Sequence, residues 1–243
     1  MSRATELPHA QRVLAVGAHP DDVDLLCAGT LEKFRRQGAK VFIGIATNGD
    51  MGSMLLQPPE LAKVREAEAR ASADVLGAEL LWLGYPDEFL YDTAEARPVF
   101  IEMIRKAAPD LIITHTPDDY HPDHRAVSEA VFGASFVAAV PNVLTDTEVA
   151  PTIPPLYYMD SLGGVGFMPT DYVDITDTFD AKVRALECHE SQMVWLKEYN
   201  DVDIIDFIEV TARFRGLACG ARYAEGYRRA EVWPRVPSRR VLP

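Results

Sequence analysis

The sequence predicts an α/β fold: a Rossmann-like, doubly wound and largely parallel sheet with helices on both faces. Two observations carry that expectation. Short, uncharged, β-branched runs alternate with longer amphipathic segments from residue 13 to residue 140, which is the pattern of repeated βαβ units. Two of those runs, 13–18 and 111–115, lead into polar, histidine-bearing segments that open helices, so reactive side chains gather at the carboxyl ends of strands.

Each element follows from local signals. Residues 13–18 read as a first buried strand, and 22–37 as a helix that Gly38 ends. Residues 40–47 form the second strand, 60–76 an alanine-rich helix stopped by Gly77, and 79–83 the third strand. A helix over 95–108 stops at Pro109, a fourth strand covers 111–115, and Pro122 opens a helix that runs to about residue 140. Beyond it the pattern weakens. Residues 141–155 read as a loop, 156–159 and 172–175 as short strands, 179–197 as a helix, and 208–227 as a final helix broken near Gly216 and Gly220. The segment 160–170 holds Gly163, Gly164 and Gly166 and reads as a mobile surface loop.

No proline-, serine- or glycine-rich linker divides the chain, so residues 1–243 are expected to form one domain, with 1–11 and 234–243 as tails. The composition, 48% hydrophobic and 25% charged, is that of a soluble globular protein. No apolar run approaches a membrane span, and the first dozen residues carry no signal-peptide core, so a cytoplasmic location is expected. The formal net charge of −13 argues against nucleic acid and anionic membranes as partners. Three widely spaced cysteines without a CxxC pair make a disulfide framework or a cysteine zinc site improbable, and each reads as a small core residue.

Chemistry concentrates in two motifs. In Gly17-Ala18-His19-Pro20-Asp21-Asp22, Pro20 suits a helix start, and His19 and Asp22, three apart across the turn, converge while Asp21 stands beside them. A catalytic zinc site takes three protein ligands and keeps one open position, so a further ligand is required. His121-Pro122-Asp123-His124 supplies candidates, again after a strand and at a helix start. In the common doubly wound order the first and fourth strands are neighbours, which brings His19, Asp22 and His124 into one cleft. A dinucleotide-binding turn would need G-x-G-x-x-G, and this turn has a single glycine.

These motifs resemble the zinc-dependent deacetylases of the LmbE or PIG-L family. Similar segments follow in family order along nearly the whole chain: Thr47-Asn48-Gly49-Asp50, Arg65 with Glu68, Leu76-Gly77, Gly84-Tyr85-Pro86-Asp87, His189 with Ser191-Gln192, and Tyr223-Ala224-Glu225. The resemblance implies an LmbE-like fold, Zn2+ or another divalent metal such as Fe2+ on His19, Asp22 and His124, and removal of an N-acetyl or small acyl group from an amino-sugar-type substrate.

It further implies Asp21 as the base that takes a proton from the attacking water. His121, if protonated, would stabilise the oxyanion, with Asp123 holding its imidazole. Arg65 and Asp87 match family positions that contact sugar hydroxyls, although Arg65 also reads as an intrahelical partner of Glu68. His115 reads as structural, and His189 as a brace. Asp24 stands where the family usually has glutamate, a shorter reach. Either Asp21 or His121 protonates the leaving amine. Homo-oligomers are common in the family, so one is expected here. Two other readings stay open: a family-related hydratase acting on a carboxylated substrate, which predicts extra cations in the cleft, and a non-catalytic zinc protein with a closed site.

Overall fold

A computed structural model describes residues 9–235. A seven-stranded sheet in the order β3-β2-β1-β4-β5-β7-β6 runs through the centre. The first half is the expected alternation: β1 (Arg12–Gly17), β2 (Lys40–Thr47), α3 (Pro58–Val75), β3 (Glu79–Tyr85), α4 (Arg97–Ala107), β4 (Leu111–Thr114) and α5 (Pro122–Val137). The strands β1 to β4 and β5 (Leu156–Met159) pair in parallel. Because side chains alternate across a strand, Val13 and Ala15 enter one core and Leu14 and Val16 the other, so helices cover both faces.

The chain leaves β1 toward β2 on one side, while β4 pairs with β1 on the other, with Val16 opposite Thr114. The carboxyl ends of β1 and β4 therefore flank the crevice at the topological switch point.

Three expectations are corrected. The helix expected over 22–37 is two helices, α1 (Asp22–Leu26) and α2 (Ala28–Arg36), broken at Cys27. An ion pair replaces the backbone bond that would join them. Lys182 Nζ donates to Leu25 O at 2.8 Å and lies 2.6 Å from Glu225, whose carboxylate accepts from Gly29 N at 3.1 Å and Thr30 N at 2.8 Å. Each side chain thus takes a backbone group that a continuous helix would satisfy internally.

The helix expected over 179–197 likewise splits into α6 (Phe179–Leu186) and α7 (Glu190–Asn200). At the junction the chain turns so that the buried His189 places Nε2 2.7 Å from Asp24.

The last expected helix is shifted and shortened. α8 covers Ile204–Cys219 and ends in a left-handed cap at Gly220, φ 76°, a conformation that glycine adopts without a Cβ penalty. The chain then reverses into β7 (Ala224–Arg229), antiparallel to both β5 and β6 (Asp171–Asp174). Residues 160–170 include a short 3₁₀ turn at Leu162–Gly164.

Of the two expected tails, residues 1–8 and 236–243 lie outside the described residues. The inner ends are not loose: Gln11 and Arg12 donate their amides to Asp110, and Arg235 is buried, donating to Pro154 O and Ser135 Oγ. Cys27 is buried as expected, whereas Cys219 is exposed. No helix among the described residues is long and apolar enough to cross a membrane.

Candidate metal centre

The β1–α1 turn presents His19, Asp21 and Asp22, and the start of α5 presents His121, Asp123 and His124. The turn is tied on itself, since Asp22 Oδ2 accepts from His19 N at 2.6 Å. Three residues then form a triangle, with a different Asp22 oxygen toward each imidazole. His19 Nδ1 lies 3.2 Å from Asp22 Oδ2, and His124 Nε2 lies 3.2 Å from His19 Nδ1 and 3.3 Å from Asp22 Oδ1. A zinc ion about 2.0–2.1 Å from tetrahedral donors sets them roughly 3.3–3.4 Å apart, so the spacing suits one ion bound by two imidazoles and a carboxylate.

The other nitrogen of each imidazole faces a carboxylate. His124 Nδ1 lies 3.1 Å from Asp119, and His19 Nε2 lies 3.1 Å from Asp87 and 3.7 Å from Asp123. Such outer carboxylates fix the tautomer and raise the basicity of a ligating histidine.

The charges within the triangle compensate one another. Burial by itself would push Asp22 up, but the charges of His124, His19 and His115 outweigh it and hold the carboxyl well below its usual range. Burial pulls His124 down, yet Asp22 and Asp119 together carry it up to about 9. His115 differs: burial first, and then the charge of His124, push it down to about 4, so its ring is neutral. It is stacked on His124 at 3.9 Å and accepts from Ala18 N at 3.0 Å, and the same Nε2 lies 3.1 Å from Asp22. His115, Asp22 and His124 also lie within metal-holding distance of one another, as do His19, His121 and His124, and His19, Asp87 and Asp123. Single-chain reading missed Asp119, which sits outside any motif spacing.

The remaining sequence-predicted residues surround this triangle. Asp21 Oδ1 lies 2.8 Å from Arg65 Nη2, and Arg65 Nη1 donates to Gly49 O at 3.1 Å. Gly49 has φ 63°, and a Cβ there would stand 2.4 Å from Arg65 Nη1, so the guanidinium occupies space that only glycine leaves free. The intrahelical Arg65–Glu68 pair does not form, because Glu68 instead accepts from Ser191 N and Oγ.

Asp87 is buried; its second oxygen accepts from Met51 N at 3.3 Å. The expected Asp123–His121 hold is also replaced. Asp123 Oδ2 accepts from Glu88 N at 2.8 Å and faces His19, while His121 Nδ1 accepts from the backbone N–H of Asp123. The short carboxylate of Asp123, two residues past the helix N-cap His121, turns inward, away from the N-cap ring. Burial, then the charges of His19 and His124, push His121 down. A neutral ring whose Nδ1 is an acceptor carries its proton on Nε2, 3.4 Å from Glu88 Oε1. His189 meets Asp24 despite the shorter carboxylate.

All of this opens into a cavity of about 610 Å3, lined also by Tyr120, Trp195, Leu196 and Phe207.

The chain is similar to known proteins along most of its length. A family model described as PIG-L, GlcNAc-PI de-N-acetylase, matches residues 14–135. The diacetylchitobiose deacetylase of Thermococcus kodakarensis is 32% identical over 232 residues, covering 90% of this chain and 82% of that protein. The N,N'-diacetylchitobiose deacetylase of Pyrococcus horikoshii, solved with an inhibitor, superposes with a TM-score of 0.79 at 28% identity, covering 90% of this chain and 84% of that one. A 4-carboxy-2-hydroxymuconate hydratase from Pseudomonas putida KT2440 superposes with a TM-score of 0.80 at 20% identity over 94% of this chain and 99% of its own, a likeness of fold alone. With a matching family model over half the chain and a relative of this identity and coverage, the protein belongs to the PIG-L (LmbE) family.

Proposed function

We propose that the protein is a metal-dependent amide hydrolase that removes the acetyl group from an N-acetylated amino sugar or glycoconjugate, with zinc, or another divalent ion such as Fe2+, on His19, Asp22 and His124. The observation that carries this reading is the triangle of His19, Asp22 and His124, whose donor groups approach one another to 3.2, 3.2 and 3.3 Å, set beside a carboxylate, Asp21, that is not one of its donors. A metal at this position supplies acidity to a bound water and polarises the amide carbonyl.

The protein's own groups do the rest. Asp21, oriented by Arg65, accepts the proton of the attacking water. Neutral His121, with its proton on Nε2, donates a hydrogen bond where charge develops on the carbonyl oxygen. Asp119 and Asp87 hold the imidazoles of His124 and His19 in the tautomers that leave Nε2 and Nδ1 free to ligate. A spare carboxylate and an open cavity speak against a closed structural zinc site.

The hydratase reading requires cations for a carboxylated substrate. Among the residues lining the cavity, Arg65 is the sole guanidinium or ammonium, and Asp21 and Gly49 O already engage it. That favours a neutral substrate.

The test is acetate release from a panel of N-acetylated sugars by metal-loaded wild type and Asp21→Asn at matched metal content. We expect turnover of at least one N-acetylglucosamine derivative and a loss of at least ~100-fold in the variant without loss of metal. A metal-loaded wild type that releases acetate from no member of the panel would overturn the reading.

A further inference from the structure

The cavity is larger than the amide chemistry needs. An N-acetylhexosamine of about fifteen heavy atoms, at no more than the ~30 Å3 that a water claims in the liquid, fills at most ~450 Å3. About 610 Å3 is available.

The lining is divided by chemistry. Its charged side chains all belong to the network around the metal triangle: Asp22 and Asp87 contact His19, Glu88 contacts His121, and Asp21 pairs with Arg65. The wall supplied by Leu162, Trp195, Leu196, Val202, Ile204 and Phe207 is apolar, and only the uncharged Gln192 and Asn200 interrupt it on α7. This wall is built in advance. Leu162, Leu196 and Phe207 pack against the buried core, Ile204 belongs to it, and the Trp195 ring is stacked on Tyr199 at 4.2 Å. A preformed apolar surface continuous with a polar reaction centre is how a site orients a two-part ligand.

We propose that this α7–α8 wall is a subsite for an uncharged apolar substituent, aryl or alkyl, carried by the N-acetylated sugar. The inference rests on the deacetylase reading for the sugar end of the cavity only. An anionic substituent finds no cation on this wall and meets the carboxylates at the metal end, whereas an aryl group buries its faces against Trp195 and Phe207.

The experiment compares kcat/KM for acetate release from N-acetylglucosamine, its phenyl β-glycoside and its 1-phosphate. In parallel, calorimetry follows binding of phenyl β-glucopyranoside, which has no amide to cleave. The phenyl glycoside is expected to exceed the free sugar by at least ~10-fold, mainly through KM, with the phosphate below both. That ratio should fall toward one in Trp195→Ala and Phe207→Ala and recover in part in Phe207→Leu. Equal kcat/KM for all three substrates, or a ratio that survives both alanine variants, overturns the proposal.

Failure of the deacetylase reading looks different. No acetate is then released from any sugar, yet phenyl β-glucopyranoside binds the wild type and not Phe207→Ala. If neither acetate release nor binding is seen, both ideas fall.

Discussion

Arg65 Nη2 stands 2.8 Å from Asp21 Oδ1, with the side chains only 4% and 11% exposed, and the same guanidinium holds Gly49 O. The two residues come from different elements, so the pair fixes the β1–α1 turn against α3. Removing one partner of a buried pair leaves an uncompensated charge and costs about 3–5 kcal/mol. Arg65→Met should lose that much stability in urea unfolding. Arg65→Lys keeps the charge but not the planar fork, so it should fold well and still lose about 10-fold or more in kcat. An unchanged kcat in the lysine variant would show that Asp21 does not depend on Arg65 for its orientation.

The donor triangle predicts a metal-linked melting temperature. An ion that binds only the native state adds about 2.7 kcal/mol at a hundredfold excess over its Kd. Stripping metal with a chelator should lower the melting temperature of the wild type, and zinc should restore it. His124→Ala and Asp22→Ala should melt at the same temperature with or without zinc. Asp21→Asn should keep the full shift, because its carboxylate is not in the triangle.

The Lys182–Glu225 pair predicts an unequal pair of variants. Lys182→Met strands a buried carboxylate and should cost about 3–5 kcal/mol. Glu225→Gln retains an acceptor for one of the Gly29 and Thr30 amides, whereas Glu225→Leu retains none, so the glutamine variant should be the more stable by about 1–3 kcal/mol. Equal denaturation midpoints for the two Glu225 variants would contradict the capping role.

Glu102 predicts part of the acid limb of stability. Burial pushes its carboxyl up, but hydrogen bonds from Thr147 and Thr145, with Lys106 nearby, outweigh that and lower it from an ordinary 4.5 to about 2. Since the folded value lies below the unfolded one, its stabilisation is complete above pH 4.5 and is lost as pH falls toward about 2. Glu102→Gln should therefore show a shallower loss of stability than wild type across that window in calorimetric melts. Parallel curves would dissociate Glu102 from the acid limb.

The candidate metal centre is legible in the sequence because its logic is local. His19 with Asp22, and His121 with His124, are each three residues apart at a helix start, and the βα alternation sets both starts beside each other. What escaped the sequence depends on side-chain directions without a characteristic spacing, or on partners from far along the chain. Asp119 behind His124 has no characteristic spacing. Asp123 lies between both histidines of its motif, and only the backbone path at the N-cap decides that its carboxylate faces His19 and not His121. The break at Cys27 is invisible for the same reason, since 22–37 has ordinary helical periodicity and the interruption arrives with Lys182 and Glu225. The first four residues of β7 read as the end of a helix because they follow a long apolar segment, and antiparallel pairing on both sides supplies what the strand's propensity does not.

β7 lies inside the sheet between β5 and β6, although it follows every other described strand in sequence, and among the described strands β6 hydrogen-bonds to this one alone. Assembly is therefore late-closing: β6 gains its partner only when β7 arrives, with Asp174 paired to Ala224 and Asp171 to Tyr227, and a contact of such sequence separation forms slowly. Glu225 travels on that strand, so the amides of Gly29 and Thr30 behind the β1–α1 turn stay uncapped until then. The order of synthesis thus runs from histidine-bearing motif to supporting brace, and a nascent chain carries His19, Asp22 and His124 well before it has the means to hold them rigid.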